Sequence, residues 1–89
     1  MPDERRVTAL RYEGSGSPKV IASGRGHVAE KILAAAQAAG VPVREDPELA
    51  EALGGLALGQ DVPEDMWLAV AEVLAWAYEL ESKAITPNR

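Results

Sequence analysis

The chain contains no cysteine and no phenylalanine, and it has a single histidine among its 89 residues. Without cysteine it can form no disulfide bond, no thiolate nucleophile and no cysteine-ligated metal site, which is compatible with a reducing cytoplasm. Two tryptophans and two tyrosines supply all of the aromatic area. We therefore expect one small domain with a thin, closely packed core that is rich in alanine.

The sequence also lacks a long uninterrupted apolar run. The longest apolar stretch, from Met66 to Leu80, is interrupted by Glu72 and Glu79, and it is shorter than the roughly 20 residues that a membrane-spanning helix requires. The polar residues at 1–6 have no apolar segment of the kind found in secretory signals, and they favour a natural start. We therefore expect a soluble, cytoplasmic protein without direct membrane insertion.

Positive charge is scarce, because 9 basic residues face 14 acidic ones and the formal net charge is −5. A chain of this charge with no basic cluster repels the phosphate backbone, so nucleic acid is excluded as the expected partner. Anionic membrane surfaces are disfavoured for the same reason. The acidity suits solubility or a basic protein partner.

The first half of the chain predicts a β-hairpin followed by a helix. Val, Thr and Tyr side chains favour a strand over residues 6–12, and the β-branched residues at 19–23 favour a second strand. The Gly, Ser and Pro residues at 13–18 are typical of a hairpin loop. Apolar residues then recur at helical spacing over residues 27–39, before Gly40.

The second half predicts a third strand and two more helices. Residues 41–44 favour a short strand whose proline indicates an edge or end position. The Asp-Pro pair at 46–47 is typical of a helix start, and a long final helix is expected from residue 63 to about residue 80–82. The β-α-β order predicts parallel strands joined by a right-handed crossover.

The expected fold class is therefore α/β (α+β), with a small mixed β-sheet of three to four short strands packed with three to four helices, of which the C-terminal one is long. The domain is expected to span residues 7–82. A flexible N-terminal segment at 1–6 and a flexible tail at 83–89 are expected to flank it.

The final helix is apolar around most of its girth, whereas a surface helix is normally polar over about half of it. Either the helix is enclosed as the spine of the fold, or part of it forms an exposed patch. Spacings of four, three and four residues place four side chains on one stripe. Small residues beside aromatic ones on such a stripe could form a groove for an apolar peptide. The four residues are Trp67, Ala71, Leu74 and Tyr78.

No pattern points to catalysis. His27 follows a glycine-rich turn, has no convincing metal-ligand spacing around it, and is interpreted as a capping or solvated histidine. Residues 24–26 lack the remaining residues of a phosphate-binding loop. The carboxylates at 45–51 are explained by the helix start and a solvated face. We therefore expect a non-enzymatic protein with no cofactor and no metal site, and a hydrolase using these groups ranks last.

Five stretches taken together resemble the C-terminal cytoplasmic domain of the FlhB/YscU/EscU/HrcU family, the export-switch proteins of flagellar and type III secretion systems. The resemblance covers about residues 7–80, and it is the order and spacing of the stretches that makes it specific. The stretches are Ala9-Leu10-Arg11-Tyr12, Pro18 to Gly24, Val41 to Ala50, Leu58 to Pro63 and Ala69 to Trp76.

The resemblance implies a protein-interaction module that binds export substrates and other export-apparatus proteins and helps to switch export from early to late substrates. Its location would be cytoplasmic, at the periphery of the export gate. Separately, we expect the protein to be a monomer. The family's apolar substrate-binding patch falls on Ser17, Pro18, Ala71 and Leu74. Ser17 stands where alanine is common in the family.

Many family members cleave themselves at an Asn-Pro-Thr-His sequence just before the first of these strands. Here Pro2-Asp3-Glu4-Arg5 occupies that position, so autoproteolysis is not expected. The chain would then begin near the start of the cleaved fragment of a longer relative and would resemble the cleaved state permanently. The alternative function is a free-standing regulator that uses the same scaffold outside secretion.

Overall fold

The computed structural model describes residues 5–85, with side chains described as far as residue 80. In this part of the chain an antiparallel β-hairpin is followed by three α-helices and one 3₁₀ turn. The α+β class and the long C-terminal helix expected from the sequence are confirmed. The elements are β1 (Arg6–Arg11), β2 (Lys19–Arg25), α1 (His27–Ala38), α2 (Pro47–Leu53), the 3₁₀ turn (Glu64–Met66) and α3 (Trp67–Ile85).

The hairpin carries an irregularity near its loop. Ala9 pairs with Ala22 but Leu10 pairs with Val20, which leaves Ile21 as the extra residue of a β-bulge. Residues 54–63, which join α2 to the 3₁₀ turn before α3, are called the connecting segment. This segment runs along the start of β2, where the Val20 N–H donates to the Gln60 carbonyl oxygen at 3.2 Å. The chain between α2 and α3 therefore lies against the hairpin and covers part of one edge.

The third strand predicted over residues 41–44 is not formed, so the sheet of the described residues has two antiparallel strands and no parallel crossover. The Val41 N–H donates instead to the Ala36 carbonyl at 2.9 Å, which closes the end of α1. Pro42 has no N–H to offer. Residues 41 and 42 therefore have no backbone N–H available for a hydrogen bond to a neighbouring strand, and residues 41–44 do not form the strand that the sequence predicted.

The core lies where α2, the connecting segment and α3 meet. Leu53 at the end of α2 is 3% exposed, and Val62 and Val70 are each 1% exposed. Apolar residues from β1, α2 and α3 pack around this cluster and are partly buried: Leu10, Leu49, Leu56, Met66 and Leu74. The core therefore holds α3 through its first half.

Of the two interpretations of the final helix, the structure supports the exposed patch. Val70 is buried, but Leu68 is 78% exposed, Tyr78 49% and Leu80 40%. A helix of 19 residues is about 28 Å long, and a two-stranded hairpin with a seven-residue helix beside it is too small to enclose it. The alternative interpretation, in which α3 is covered on most sides, is therefore wrong.

The boundaries of the ordered elements extend slightly past the predicted domain of residues 7–82. Strand β1 begins at Arg6, and α3 continues to Ile85, three residues beyond its expected end. Residues 1–4 and 86–89 of the predicted flexible segments lie outside the described residues, so their flexibility stays a prediction. Among the described helices, none combines the length and apolar content needed to cross a membrane.

Candidate functional site

A cavity of about 370 Å³ opens between α3 and the hairpin loop. We call it the α3 pocket. It brings together five of the six predicted site residues, whereas the sixth, Ser17, lies beside it. The lining consists of Tyr12, Gly16, Pro18, Trp67, Val70, Ala71, Leu74, Ala75 and Tyr78.

One wall of the pocket is the outer flank of α3. The helical repeat places Trp67, Ala71, Leu74 and Tyr78 on one stripe, as the sequence predicted, and all four line the pocket. Leu74 also packs against the core, whereas Ala71 is exposed. Ala71 is therefore a position at which the pocket surface can be changed with little effect on folding.

The opposite wall comes from the hairpin. Pro18 is buried at the end of the loop, where its carbonyl accepts a hydrogen bond from the Val62 N–H at 2.9 Å. Gly16 has a φ of 77°, a backbone conformation that glycine adopts without steric cost. Gly16 and Tyr12 were missed by sequence reasoning, because they reach the pocket only when the loop packs against α3.

A single buried carbonyl connects the two walls. The Trp67 Nε1–H donates to the Val62 carbonyl oxygen at 2.7 Å, and the Ser17 hydroxyl donates to the same oxygen at 3.3 Å. The Ser17 hydroxyl also lies 3.2 Å from the Pro18 carbonyl. Ser17 therefore supports the pocket through hydrogen bonds and is not part of its apolar surface.

The pocket surface is mostly apolar and aromatic. Tyr12 and Tyr78 pack with ring centroids 6.5 Å apart at an angle of 59°, an arrangement favourable for aromatic pairs. Trp67 remains 45% exposed although its indole N–H is satisfied. Exposed aromatic area around a small recess is typical of a surface that binds an apolar side chain of a partner.

A second, wider groove of about 750 Å³ lies on the other flank of α3. Strand β1, the end of α1, residues 41–50 and α3 form its sides. The Arg44 guanidinium carbon lies 5.8 Å from the ring centroid of Trp76, a cation–π contact that holds residues 41–46 near α3. Tyr12, Leu74 and Tyr78 belong to both cavities, so they separate the pocket from the groove.

The groups considered for catalysis have ordinary structural surroundings. The His27 side chain is 97% exposed, and its Nδ1 lies 3.7 Å from Glu30 in the same helical turn. The Asp46 carboxylate accepts a hydrogen bond from the Leu49 N–H at 3.2 Å, which caps α2 as the sequence predicted. In the described part of the chain no group of three acidic or histidine side chains is placed to hold a metal ion.

The sequence matches the family model described as the FlhB HrpN YscU SpaS Family over residues 7–77. Protein YlqH of Bacillus subtilis is 39% identical over 79 residues, which are 86% of this chain and 85% of YlqH. The flagellar biosynthetic protein FlhB of Escherichia coli is 43% identical over 76 residues, which are 82% of this chain and 20% of FlhB. The hypersensitivity response secretion protein HrcU of Ralstonia nicotianae is 40% identical over 76 residues, 83% of this chain and 21% of HrcU. The chain thus spans about a fifth of FlhB and of HrcU.

Solved structures show the same similarity. The cytoplasmic domain of FlhB from Shewanella putrefaciens superposes with a TM-score of 0.82 at 32% identity, over 94% of this chain and 70% of that one. A mutated C-terminal domain of EscU/SpaS superposes with a TM-score of 0.77 at 30% identity, over 83% of this chain and 95% of that one.

Proposed function

Because this chain belongs to the FlhB/HrpN/YscU/SpaS family, with the fold of an export-switch C-terminal domain, we propose that it is a protein-interaction module of a flagellar or type III export apparatus. It binds export substrates and other apparatus proteins and catalyses no reaction. It acts as a monomer on the cytoplasmic side of the membrane, beside the export gate, in keeping with the cytoplasmic FlhB domain to which its fold is similar.

One observation carries this proposal. Pro18, Ala71 and Leu74, three of the positions that correspond to the family's substrate-binding patch, line one apolar pocket although 53 residues separate Pro18 from Ala71 in sequence. The exposed faces of Trp67 and Tyr78 enlarge the same surface. Its volume of about 370 Å³ suits one or two apolar side chains of a bound segment, and not a whole folded partner.

Changing Ala71 to Glu tests the pocket directly. A carboxylate inside an apolar pocket must lose its hydration when a partner binds, so we expect the affinity for purified export substrates to fall by about tenfold or more, as for a hot-spot residue. Fluorescence polarisation or calorimetry measures the affinity. Circular dichroism and thermal unfolding should remain those of the unchanged protein.

The matched control is Ala69→Glu, which places the same side chain on the same helix at another exposed position that lines neither cavity. Binding should be retained in this variant. Equal binding by Ala71→Glu and the original protein would show that the α3 pocket is not the docking site.

We also propose that the chain does not cleave itself. In the family resemblance, cleavage starts from an asparagine that attacks its own backbone carbonyl, and Pro2 stands at that position here, while Asn88 is the sole asparagine of the sequence. Intact-mass spectrometry of the purified protein after prolonged incubation at neutral pH should find one species. Two fragments split near residue 2 would contradict the proposal.

The similarity to YlqH supports a second candidate function, because that relative matches this chain over 85% of its own length. In this second function the protein acts as a free-standing regulator outside secretion and binds its partners through the same pocket. Affinity capture from the source cell, compared between the original protein and Ala71→Glu, separates the two functions. Export-apparatus proteins lost from the variant support the first, and unrelated proteins lost from the variant support the second.

A further inference from the structure

The rim of the α3 pocket is acidic along its helical side. Glu72 and Glu79 lie three residues before and four residues after Ala75, which lines the pocket, and side chains at these spacings are neighbours on a helix surface. Glu64 and Asp65 occupy the 3₁₀ turn directly before Trp67. All four of these carboxylate side chains are on exposed residues.

Among the described residues, no ion pair engages these four carboxylates, and the guanidinium of Arg44, which approaches α3, contacts the Trp76 ring instead. The basic side chains on the hairpin side are already engaged, since Arg11 pairs with Glu13 at 2.9 Å and Lys19 pairs with Asp61. A further ion pair, between His27 and Glu30, belongs to α1. The pocket therefore combines an apolar interior with a net negative rim, in a chain whose formal net charge is −5.

The spacing of the rim carboxylates indicates what they can bind. Glu72 and Glu79 are seven residues apart, so about 10 Å separates them along the helix axis. A single small cation cannot contact both groups across that distance, whereas about three residues of an extended chain span it. An extended segment with basic side chains about three residues apart can therefore meet both carboxylates while an apolar neighbour enters the pocket.

We propose that the α3 pocket selects an extended polypeptide segment in which an apolar anchor is flanked by lysine or arginine residues. This proposal rests on the docking function proposed above and adds the chemical class of the bound segment. The apolar anchor contributes most of the binding, and the acidic rim discriminates between segments with the same anchor. An acidic segment with that anchor is repelled by the exposed carboxylates of the rim.

Two short synthetic peptides test this selectivity. Both carry a Leu-Leu anchor flanked by two charged residues that are three positions apart, lysines in one peptide and glutamates in the other. We expect the lysine peptide to bind about tenfold more tightly at low salt, as the sum of several exposed charge pairs. In about 1 M salt, where the Debye length is about 3 Å, the two affinities should become similar.

The double variant Glu72→Gln, Glu79→Gln should lose most of this preference while still binding the anchor. Glu48→Gln with Glu51→Gln is the matched control, because these exposed carboxylates lie on α2, which contributes nothing to the pocket, and it should keep the preference. Circular dichroism verifies that both double variants are folded.

The possible outcomes separate the two proposals. Equal binding of both peptides to the original protein, lost in Ala71→Glu, would overturn the charge selectivity and leave the docking function standing. Failure of both peptides to bind would overturn the pocket as a docking site and the selectivity with it. A lysine preference that survives in Glu72→Gln, Glu79→Gln would also overturn the proposed role of this rim.

Discussion

Replacing Leu53 by Ala is expected to lower the free energy of unfolding by about 2–5 kcal/mol. Leu53 is 3% exposed and packs with Val62 and Val70 in the cluster that joins α2, the connecting segment and α3. The substitution removes buried methyl groups and leaves a cavity that short elements can fill only in part. Because small domains are stable by only about 5–15 kcal/mol, a large share of the total would be lost.

The chain offers a control with the same change of side chain. Leu58 is 65% exposed, so Leu58→Ala should alter the free energy of unfolding by no more than about 0.5 kcal/mol. Urea denaturation followed by circular dichroism measures both variants, and the slope of the transition should stay unchanged. If the two substitutions had equal effects, Leu53 would not be at the centre of the core.

The Leu53 variant also reports on how the pocket is supported. Val70 belongs both to the core cluster and to the pocket lining, so a cavity next to Val70 loosens the wall formed by α3. Peptide binding by Leu53→Ala should therefore weaken under conditions in which the variant is still mostly folded. Leu58→Ala should bind as the original protein does.

Gly24→Ala is expected to destabilise the fold by about 1–3 kcal/mol, the usual cost of overpacking. A Cβ atom at residue 24 would overlap Val28 Cγ1 and would lie 2.8 Å from Val28 Cβ, where β2 passes the first turn of α1. Rotation of the Val28 side chain could move Cγ1 away, but Cβ is attached to the helix backbone. Strand or helix would therefore have to shift.

The sign of the change in stability makes the Gly24→Ala variant informative. At an unstrained position Gly→Ala normally stabilises a protein by about 0.4–1 kcal/mol, because alanine restricts the unfolded chain. Gly55→Ala is such a control, since the nearest atom to its new Cβ is the Ala52 carbonyl oxygen at 3.7 Å.

Thermal unfolding distinguishes these variants, because about 1 kcal/mol shifts the midpoint by roughly 4–8 °C in a domain of this size. Combining Gly24→Ala with Val28→Ala removes the closest contact and should recover part of the lost stability. A Gly24→Ala variant as stable as Gly55→Ala would mean that β2 and α1 do not approach as closely as described.

The local elements and one face of the site could be predicted from the amino-acid pattern. Strand-forming residues on either side of a Gly-Ser-Pro loop predicted the hairpin, and the Asp46-Pro47 pair predicted the start of α2. Helical spacing placed Trp67 and Tyr78 on one stripe with Ala71 and Leu74. Each of these inferences depends on interactions between residues close in sequence, and the pattern of side chains records such interactions directly.

The remaining features depend on contacts between elements that are distant in sequence. The third strand failed to form because the Val41 N–H closes α1 instead, and the exposure of α3 depends on how little of the chain packs against it. Ser17 and Trp67 meet at the Val62 carbonyl, across 45 residues in the case of Ser17. Contacts over such distances depend on how the elements pack, and no periodicity or turn signal in a single sequence encodes that packing.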